Sequence, residues 1–365
     1  MRRNYIDNLR WICILLLFPY HAAMVFNCWG EGFYVRGISS EPISAFIIAC
    51  YTWFMPLLFA LAGASSFYAL QKRNAKDYAI ERVKKLLVPF LLGVLFLIPA
   101  QTYFAERQHN GYTGGYFAQY KLFFTKVSDL SGYTGGFAVG HLWFLLYLFV
   151  ISLVCLPVMR HYLAREKKID GAQFSFIALF LLVLAPVLLS PISIGGKSFG
   201  LYLGMFLLGF FFLSSDALVD RLMKLSLPLG LSALALIALK LVSYFFWNLR
   251  SGIVSGLFDA IVMWVTILAL FGVGKRLLNG ASPVTRWLAS QSFAIYILHQ
   301  SVLVAVGFYV LRLVHAQVVQ FLLIALISLP LTLVAVLAVS RVPYLRMLLG
   351  IYEKPRSASP VQKGN

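Results

Sequence analysis

Charge is scarce in this 365-residue chain: Asp, Glu, Lys and Arg together make up 12% of it, where a soluble domain carries about a quarter. Acidic residues are scarcer still, 13 against 31 Lys and Arg. The polar surface that keeps a soluble globule of this size in solution is therefore missing. Cysteine is nearly absent too. Cys13, Cys28, Cys50 and Cys155 lie in or beside apolar runs without C-x-x-C spacing, which argues against a disulfide framework, a zinc site or redox chemistry. No P-loop or G-x-G-x-x-G accompanies the basic segments, so ATP hydrolysis finds no support.

What the chain has is apolar mass. Hydrophobic residues make up 61% of it and the mean hydropathy is +0.83, the composition of an integral membrane protein. The formal charge of +18 would point to nucleic acid in a soluble protein. Here the cations collect in loops, as they do in membrane proteins, and no nucleic-acid partner is expected. Ten apolar stretches approach the roughly 20 residues that a helix needs to cross the hydrocarbon core. They are 11–28, 43–70, 86–104, 140–159, 174–190, 199–213, 226–247, 254–273, 288–311 and 317–339, the fifth and sixth being short. The first follows Arg2 and Arg3 but lacks an A-x-A cleavage site, and it is read as an uncleaved helix.

With the N-terminus inside, the segments 1–10, 71–85, 160–173, 214–225, 274–287 and 340–365 hold 23 of the 31 Lys and Arg and the outer segments hold seven. The positive-inside rule then places both termini in the cytoplasm. The expected fold is all-α, a polytopic bundle of about ten transmembrane helices. It comprises a membrane domain over 1–340 with an external loop at 105–139, and a cytoplasmic, largely disordered tail at 341–365 that is rich in Pro, Ser and Lys from Glu353. In the loop, Gly111-Tyr112-Thr113-Gly114-Gly115 recurs as Gly132-Tyr133-Thr134-Gly135-Gly136. Between these hinges Phe117, Tyr120, Phe124 and Val127 fall at helical spacing, the pattern of a short amphipathic helix on the membrane surface. It reads as an interfacial anchor, or as a lid or sugar-stacking surface.

Ionisable groups inside spans are costly and raise a functional question. Arg10 and His21 stand eleven residues apart on the first helix, close to three turns, so they share a face at a separation of roughly 16 Å. His299 lies at a similar depth on the ninth run. Arg82, Lys84 and Lys85 crowd the inner mouth of the third, where they can meet anionic lipid headgroups or, with Arg10, the phosphates of a cytosolic donor. Lys240 and Asp259 fall at comparable depth on consecutive helices and read as a structural ion pair. His141 and Trp143 open the fourth helix at its external end, where an aromatic belt is expected. His109, His161 and His315 read as solvated.

These residues resemble a family. Arg10-x(10)-His21, within Asp7-Asn8-Leu9-Arg10-Trp11 to Tyr20-His21, resembles the first-helix motif of the acyltransferase family 3 membrane proteins, including the glucan-succinylating branch. Phe59-Ala60-Leu61-Ala62-Gly63 is similar to its second-helix motif, with Ala62 where many members have Ser. Arg82-x-x-Lys85 before Pro89 resembles an Arg-x-x-Arg element whose second Arg is Lys here. His141-Leu142-Trp143-Phe144-Leu145 and Ser292-Phe293-Ala294-Ile295-Tyr296-Ile297-Leu298-His299 resemble two further motifs, and together the matches cover about residues 5–340.

The resemblance implies a multi-pass enzyme of the bacterial inner membrane that moves an acyl group from cytosolic acyl-CoA, acetyl-CoA or succinyl-CoA, to a hydroxyl of a glycan or other envelope acceptor. No metal is implied. Arg10, Arg82 and Lys85 would hold donor phosphates, although Lys85 cannot make the bidentate fork of Arg. His21 would be the general base, because desolvation favours the neutral imidazole that accepts a proton. His299 or Tyr296 would orient it or stabilise the oxyanion, and His141 and Trp143 would face the acceptor. Direct transfer and an acyl-histidine intermediate both remain open. The competing reading is a transporter or flippase without covalent chemistry, although no convincing internal repeat marks one.

Overall fold

The computed structural model describes residues 3–127, 131–166, 169 and 173–351. Among these the regular secondary structure is helical apart from one antiparallel hairpin, β1 (Ser193–Ile194) and β2 (Lys197–Ser198). Helix α1 (Asn4–Met24) is followed by α2 (Glu41–Tyr51) and α3 (Phe54–Leu70), which form one passage of 30 residues. A second passage, of 35 residues, joins α4 (Ala75–Arg82), a π turn over Val83–Leu87, α5 (Val88–Phe96) and α6 (Ile98–His109). Then come α7 (Gln119–Thr125), a 3-10 turn over Gly140–Leu142 leading into α8 (Trp143–Val154), and α9 (Leu156–Ala164). After α10 (Phe176–Leu181) and α11 (Leu184–Leu189) follow α12 (Phe199–Phe211) and α13 (Asp216–Lys224). The last four helices, α14 (Ser226–Phe245), α15 (Ile253–Leu277), α16 (Pro283–Leu313) and α17 (Gln317–Arg341), are long and unbroken.

Among the described residues helix occupies most of each of the ten apolar runs, but six passages are long and apolar enough to cross a membrane, or eight when the α8–α9 and α12–α13 pairs, bent by 46° and 97°, each count as one. The count of about ten is not reached for two physical reasons. The α10–α11 stretch, Ile177–Leu189, is too short, roughly 20 Å at 1.5 Å per residue against a core of roughly 30 Å. Helix α1 has the length, at 21 residues, but carries Asn4, Asp7, Asn8, Arg10 and His21. It tolerates them because α2, α3, α15, α16 and α17 pack around it, leaving protein rather than lipid as its solvent. At the periphery, Leu227, Leu231 and Leu234 of α14 and Leu322, Leu326 and Val334 of α17 are exposed, as lipid-facing ridges must be.

Glycines set the closest crossing. A Cβ on Gly63 of α3 would stand 1.9 Å from the Phe206 carbonyl oxygen, and one on Gly209 of α12 would stand 2.0 Å from that of Ala60. Reciprocal absence of side chains lets the two backbones touch, the usual device where packing rather than water expulsion holds helices together. This gives Phe59–Gly63 a packing role.

Lys240 and Asp259 pair as expected, Nζ to Oδ1 at 2.6 Å, with Lys240 only 1% exposed. The sequence did not announce their third member: the Tyr51 hydroxyl donates to Asp259 Oδ2 at 2.6 Å, tying α2 to the α14–α15 pair.

The 105–139 loop starts later than its sequence reading, because α6 continues to His109. Buried Glu106 accepts from Lys126 Nζ and from Asn110 Nδ2, both at 2.8 Å, and Gln119 Nε2 donates to Thr102 Oγ1 at 3.0 Å. Gly135, at φ +99°, passes so close to Glu106 that a Cβ there would overlap the carboxylate. The short helix exists as α7, with Phe117, Phe124 and Val127 exposed and Phe123 buried. At the start of the tail, Pro343–Leu349 is a 3-10 helix that buries Leu348 and Leu349 beside α5, α16 and α17, since apolar side chains there have a core to join. Residues 352–365, with the rest of the tail, and Lys167 and Lys168 lie outside the described residues.

Lys240→Met is expected to cost stability near the lower end of the roughly 3–5 kcal/mol that removing one partner of a buried pair costs, since Asp259 is partly exposed. Lys240→Met with Asp259→Leu should cost less than the single change. Unfolding of both variants and of Asp259→Leu alone in detergent checks this, and additive losses would mean the pair is not coupled.

Candidate active site

The polar residues of α1 sort to its two ends. Near the start, Arg10 is held by Asp7 Oδ1 at 3.0 Å and by Ser65 Oγ of α3 at 2.6 Å. Asn8 donates to the carbonyls of Leu278 and Gly280 at 2.6 and 3.0 Å, which fixes the start of α1 against the α15–α16 turn. Ser66, next to Ser65, accepts from the Tyr78 hydroxyl at 2.9 Å, and the Arg82 guanidinium lies 4.4 Å from the centre of the Tyr78 ring. One short relay across α3 and α4 therefore brings Arg10 and Arg82 to the same end of the bundle. Lys85 faces elsewhere: its ammonium is 2.7 Å from Glu81 Oε1, and Arg73 pairs with the same carboxylate.

Three turns further along α1, His21 meets two other histidines. Its ring centre lies 5.4 Å from that of His299 on α16, and His299 lies 5.0 Å from His141 in the turn before α8. Gly140 makes the approach possible. It sits at φ +50°, with Tyr34 Oη and Ile98 filling the space a Cβ would need. His141 is thus not a belt residue but a buried member of the cluster, 7% exposed. Tyr296 lies one turn before His299 on α16, and its hydroxyl donates to the His141 carbonyl at 2.5 Å. Phe18 and Phe33 close the sides, Phe33 stacking on His21 at 6.0 Å and 14°. Trp143 stands apart, packed on Phe59, Tyr147 and Tyr202 with the Lys197 ammonium 5.9 Å over its ring.

Carbonyl partners settle the tautomers, since a carbonyl only accepts. His299 Nδ1 donates to the Tyr296 carbonyl at 2.5 Å, so its Nε2 carries a lone pair, and no protein group satisfies that atom. His141 Nε2 donates to the Ile297 carbonyl at 3.0 Å, leaving Nδ1 to accept from Gln101 Nε2 at 3.4 Å. His21 Nδ1 is buried and unsatisfied by the protein. Two neighbouring imidazoles thus present unpaired nitrogens in an apolar setting, which equips them to take and return a proton. Among the described residues no group of three or more His, Cys, Asp or Glu is disposed to hold a metal ion.

Sequence reasoning missed Ser65, Tyr78, Gln101 and Ser301. Gln101 is fully buried and bridges His141 to Ser301 Oγ, at 2.9 Å, which in turn donates to the Leu97 carbonyl. For Ser65, Gln101 and Ser301 an uncharged amide or hydroxyl inside an apolar run was the available signal, passed over in favour of ionisable groups, whereas Tyr78 lies in the polar segment 71–85 and offered none. Of the loop histidines, His161 and His315 are exposed as read, whereas half-buried His109 bonds the Phe33 carbonyl at 2.8 Å.

A family model described as an acyltransferase domain matches residues 3–341, which takes in every element of this site. The chain belongs to that acyltransferase family. Family membership makes it a membrane acyltransferase and sets aside the transporter reading. It is 20% identical over 378 aligned positions to the glucans biosynthesis protein C of Salmonella typhi and to that of Salmonella typhimurium, covering 95% of this chain and 94% of theirs. No solved structure matches significantly.

Tyr296→Phe in this acyltransferase should lower stability by roughly 1–3 kcal/mol, because the buried His141 carbonyl loses its donor. Thermal unfolding in detergent measures it, and an unchanged midpoint would show that the hydroxyl does not hold that carbonyl.

Proposed function

We propose that this protein transfers an acyl group from cytosolic acyl-CoA to a hydroxyl of a glucan-type envelope acceptor on the far side of the inner membrane. The observation that carries the reading is the contact between His21 and His299, with open nitrogens, on the helix whose opposite end fixes Arg10. The glucan acceptor is supported by the printed name of the Salmonella relatives. The excess of Lys and Arg in the segments at the Arg10 end supports a cytoplasmic position for that end and for the N-terminus.

In this scheme Arg10 and Arg82 bind the donor's phosphates by charge-assisted hydrogen bonds, and the flexible arm carries the thioester along α1 to the histidines. His21 removes the proton from the acceptor hydroxyl as its oxygen attacks the thioester carbon. The carbon–sulfur bond breaks, the ester forms, and the proton passes to the leaving thiolate. His299 Nε2 shares the proton or meets the developing oxyanion after protonation. Tyr296 acts as a positioning residue, because its hydroxyl is committed to the His141 carbonyl. Lys85, paired with Glu81, adds to the positive field around the donor rather than gripping one phosphate.

His21→Ala should reduce acyl transfer by roughly 10²–10⁴-fold, the usual contribution of a general base, while the protein still purifies as one species. Near-normal turnover would remove His21 from this role. Arg10→Ala and Arg82→Ala should each weaken CoA binding by roughly tenfold or more, while Lys85→Arg is tolerated or improves it. Equal affinity for CoA and for pantetheine, which lacks the phosphates, would show that these cations do not read phosphate.

Donor and acceptor enter from opposite faces in this scheme. Proteoliposomes of known orientation, given acyl-CoA on the Arg10 side and acceptor on the loop side, should form the ester. Deleting residues 111–136 should impair use of the acceptor more than binding of the donor. Activity that requires both substrates on the Arg10 side would overturn the vectorial arrangement.

A further inference from the structure

At the loop end of the bundle a cleft of about 640 Å³ opens between the 36–38 segment, the end of α6 and the α16–α17 turn. Its walls include Arg36, Gln108, His109, Arg312, His315 and Gln320. Arg107 stands beside it, and the guanidinium carbons of Arg107 and Arg312 lie 5.3 and 3.3 Å from the centre of one ring, that of buried Phe308. Two like charges are thus held at one aromatic ring. Among the described residues neither they nor Arg36 form an ion pair with a carboxylate. The opposite end behaves differently. There Arg3, Arg10, Arg73, Lys85 and Lys275 all meet Asp or Glu.

The cleft is joined to the histidines through one residue. His109, in its wall, bonds the carbonyl of Phe33, whose ring stacks on His21. Phe33, Tyr34 and Val35 are fully buried, so this path is part of the core rather than a free loop. Arg36 is three Cα steps from Phe33, at most about 11 Å. A small-molecule volume with guanidinium, imidazole and amide groups around it thus lies one residue removed from His21, a span of a few sugar units.

We propose that this cleft is an anion subsite for the acceptor: it holds a phosphate group on the acceptor while a hydroxyl of the same molecule reaches His21. The proposal rests on the assignment of His21 above. Arginine forks bind oxyanions bidentately, and donors spread around an open cleft suit a tetrahedral phosphate, whose oxygens point several ways, better than a planar carboxylate.

The test is direct binding, independent of turnover. Glycerol 3-phosphate titrated into the full chain in a neutral detergent should bind saturably, by calorimetry or phosphorus NMR. Arg36→Gln with Arg312→Gln should weaken it by roughly tenfold or more, the contribution of charge-assisted hydrogen bonds. Arg36→Gln alone, at an exposed residue whose change leaves the packing intact, should weaken it severalfold. Glycerate should bind at least several times more weakly. His21→Ala should bind the probe normally, so inactivity of that variant and loss of the subsite are separate outcomes. Absence of saturable binding, or unchanged affinity in the double variant, overturns the proposal, and equal binding of glycerate overturns the choice of phosphate. The source is decided by repeating the titration in vesicles. Binding that survives in phosphatidylcholine with added phosphatidylglycerol supports an acceptor phosphate. Competition by phosphatidylglycerol would assign the cleft to a lipid headgroup and overturn it.

Discussion

A polar helix set among apolar ones must find its partners in protein, and α1 is that helix here. Its asparagines, Asp7, Arg10 and His21 would be untenable against lipid, and the five helices around it exist in this arrangement because they satisfy or shield those groups. Asn8 fastens the turn before α16, Ser65 of α3 receives Arg10, and α16 brings His299 to His21. The cost of each unsatisfied polar atom thus dictates which helices are inner and which, like α14 and α17, may present leucine and valine to the bilayer.

The same constraint shapes the chemistry. Buried polar atoms are normally paired, so the few that are not stand out. Around the histidine cluster the carbonyls of Tyr296 and Ile297 hold two rings in a single tautomer, and the Tyr296 hydroxyl and Gln101 brace the third element. Among the described residues, the atoms left open there include His299 Nε2, His21 Nδ1 and Gln101 Oε1. Proton transfer by these two nitrogens is what the proposed reaction would ask of this frame.

The two ends of the bundle differ in how they treat positive charge. At the Arg10 end cations are interleaved with Asp7, Glu81, Asp216 and Asp220, which fixes their positions and moderates the local field. At the loop end the buried acid Glu106 is consumed by Lys126 and Asn110, and the arginines on α6 and α16 lean on Phe308 instead. Arginine tolerates this better than lysine would, since its planar, weakly hydrated guanidinium stacks on an aromatic face.

The sequence by itself determined that this is a membrane protein, that its helices are where the apolar runs are, and that polar residues interrupt the runs of α1 and α16. These are local properties, because an apolar run of span length has no other stable state in lipid and an ionisable group inside one is conspicuous without neighbours. The Lys240–Asp259 pair was legible for the same reason. Tertiary structure decided the rest. Only packing shows that α1 is enclosed, that α12 turns by 97° into α13, and that Leu348 and Leu349 leave the tail for the core. Only packing carries His141 from the expected belt to His299, because that move depends on Gly140, Tyr34 and Ile98, which lie far apart in the chain. Serine, glutamine and tyrosine partners stayed hidden because an uncharged side chain in an apolar run becomes informative only when the atom it bonds is known.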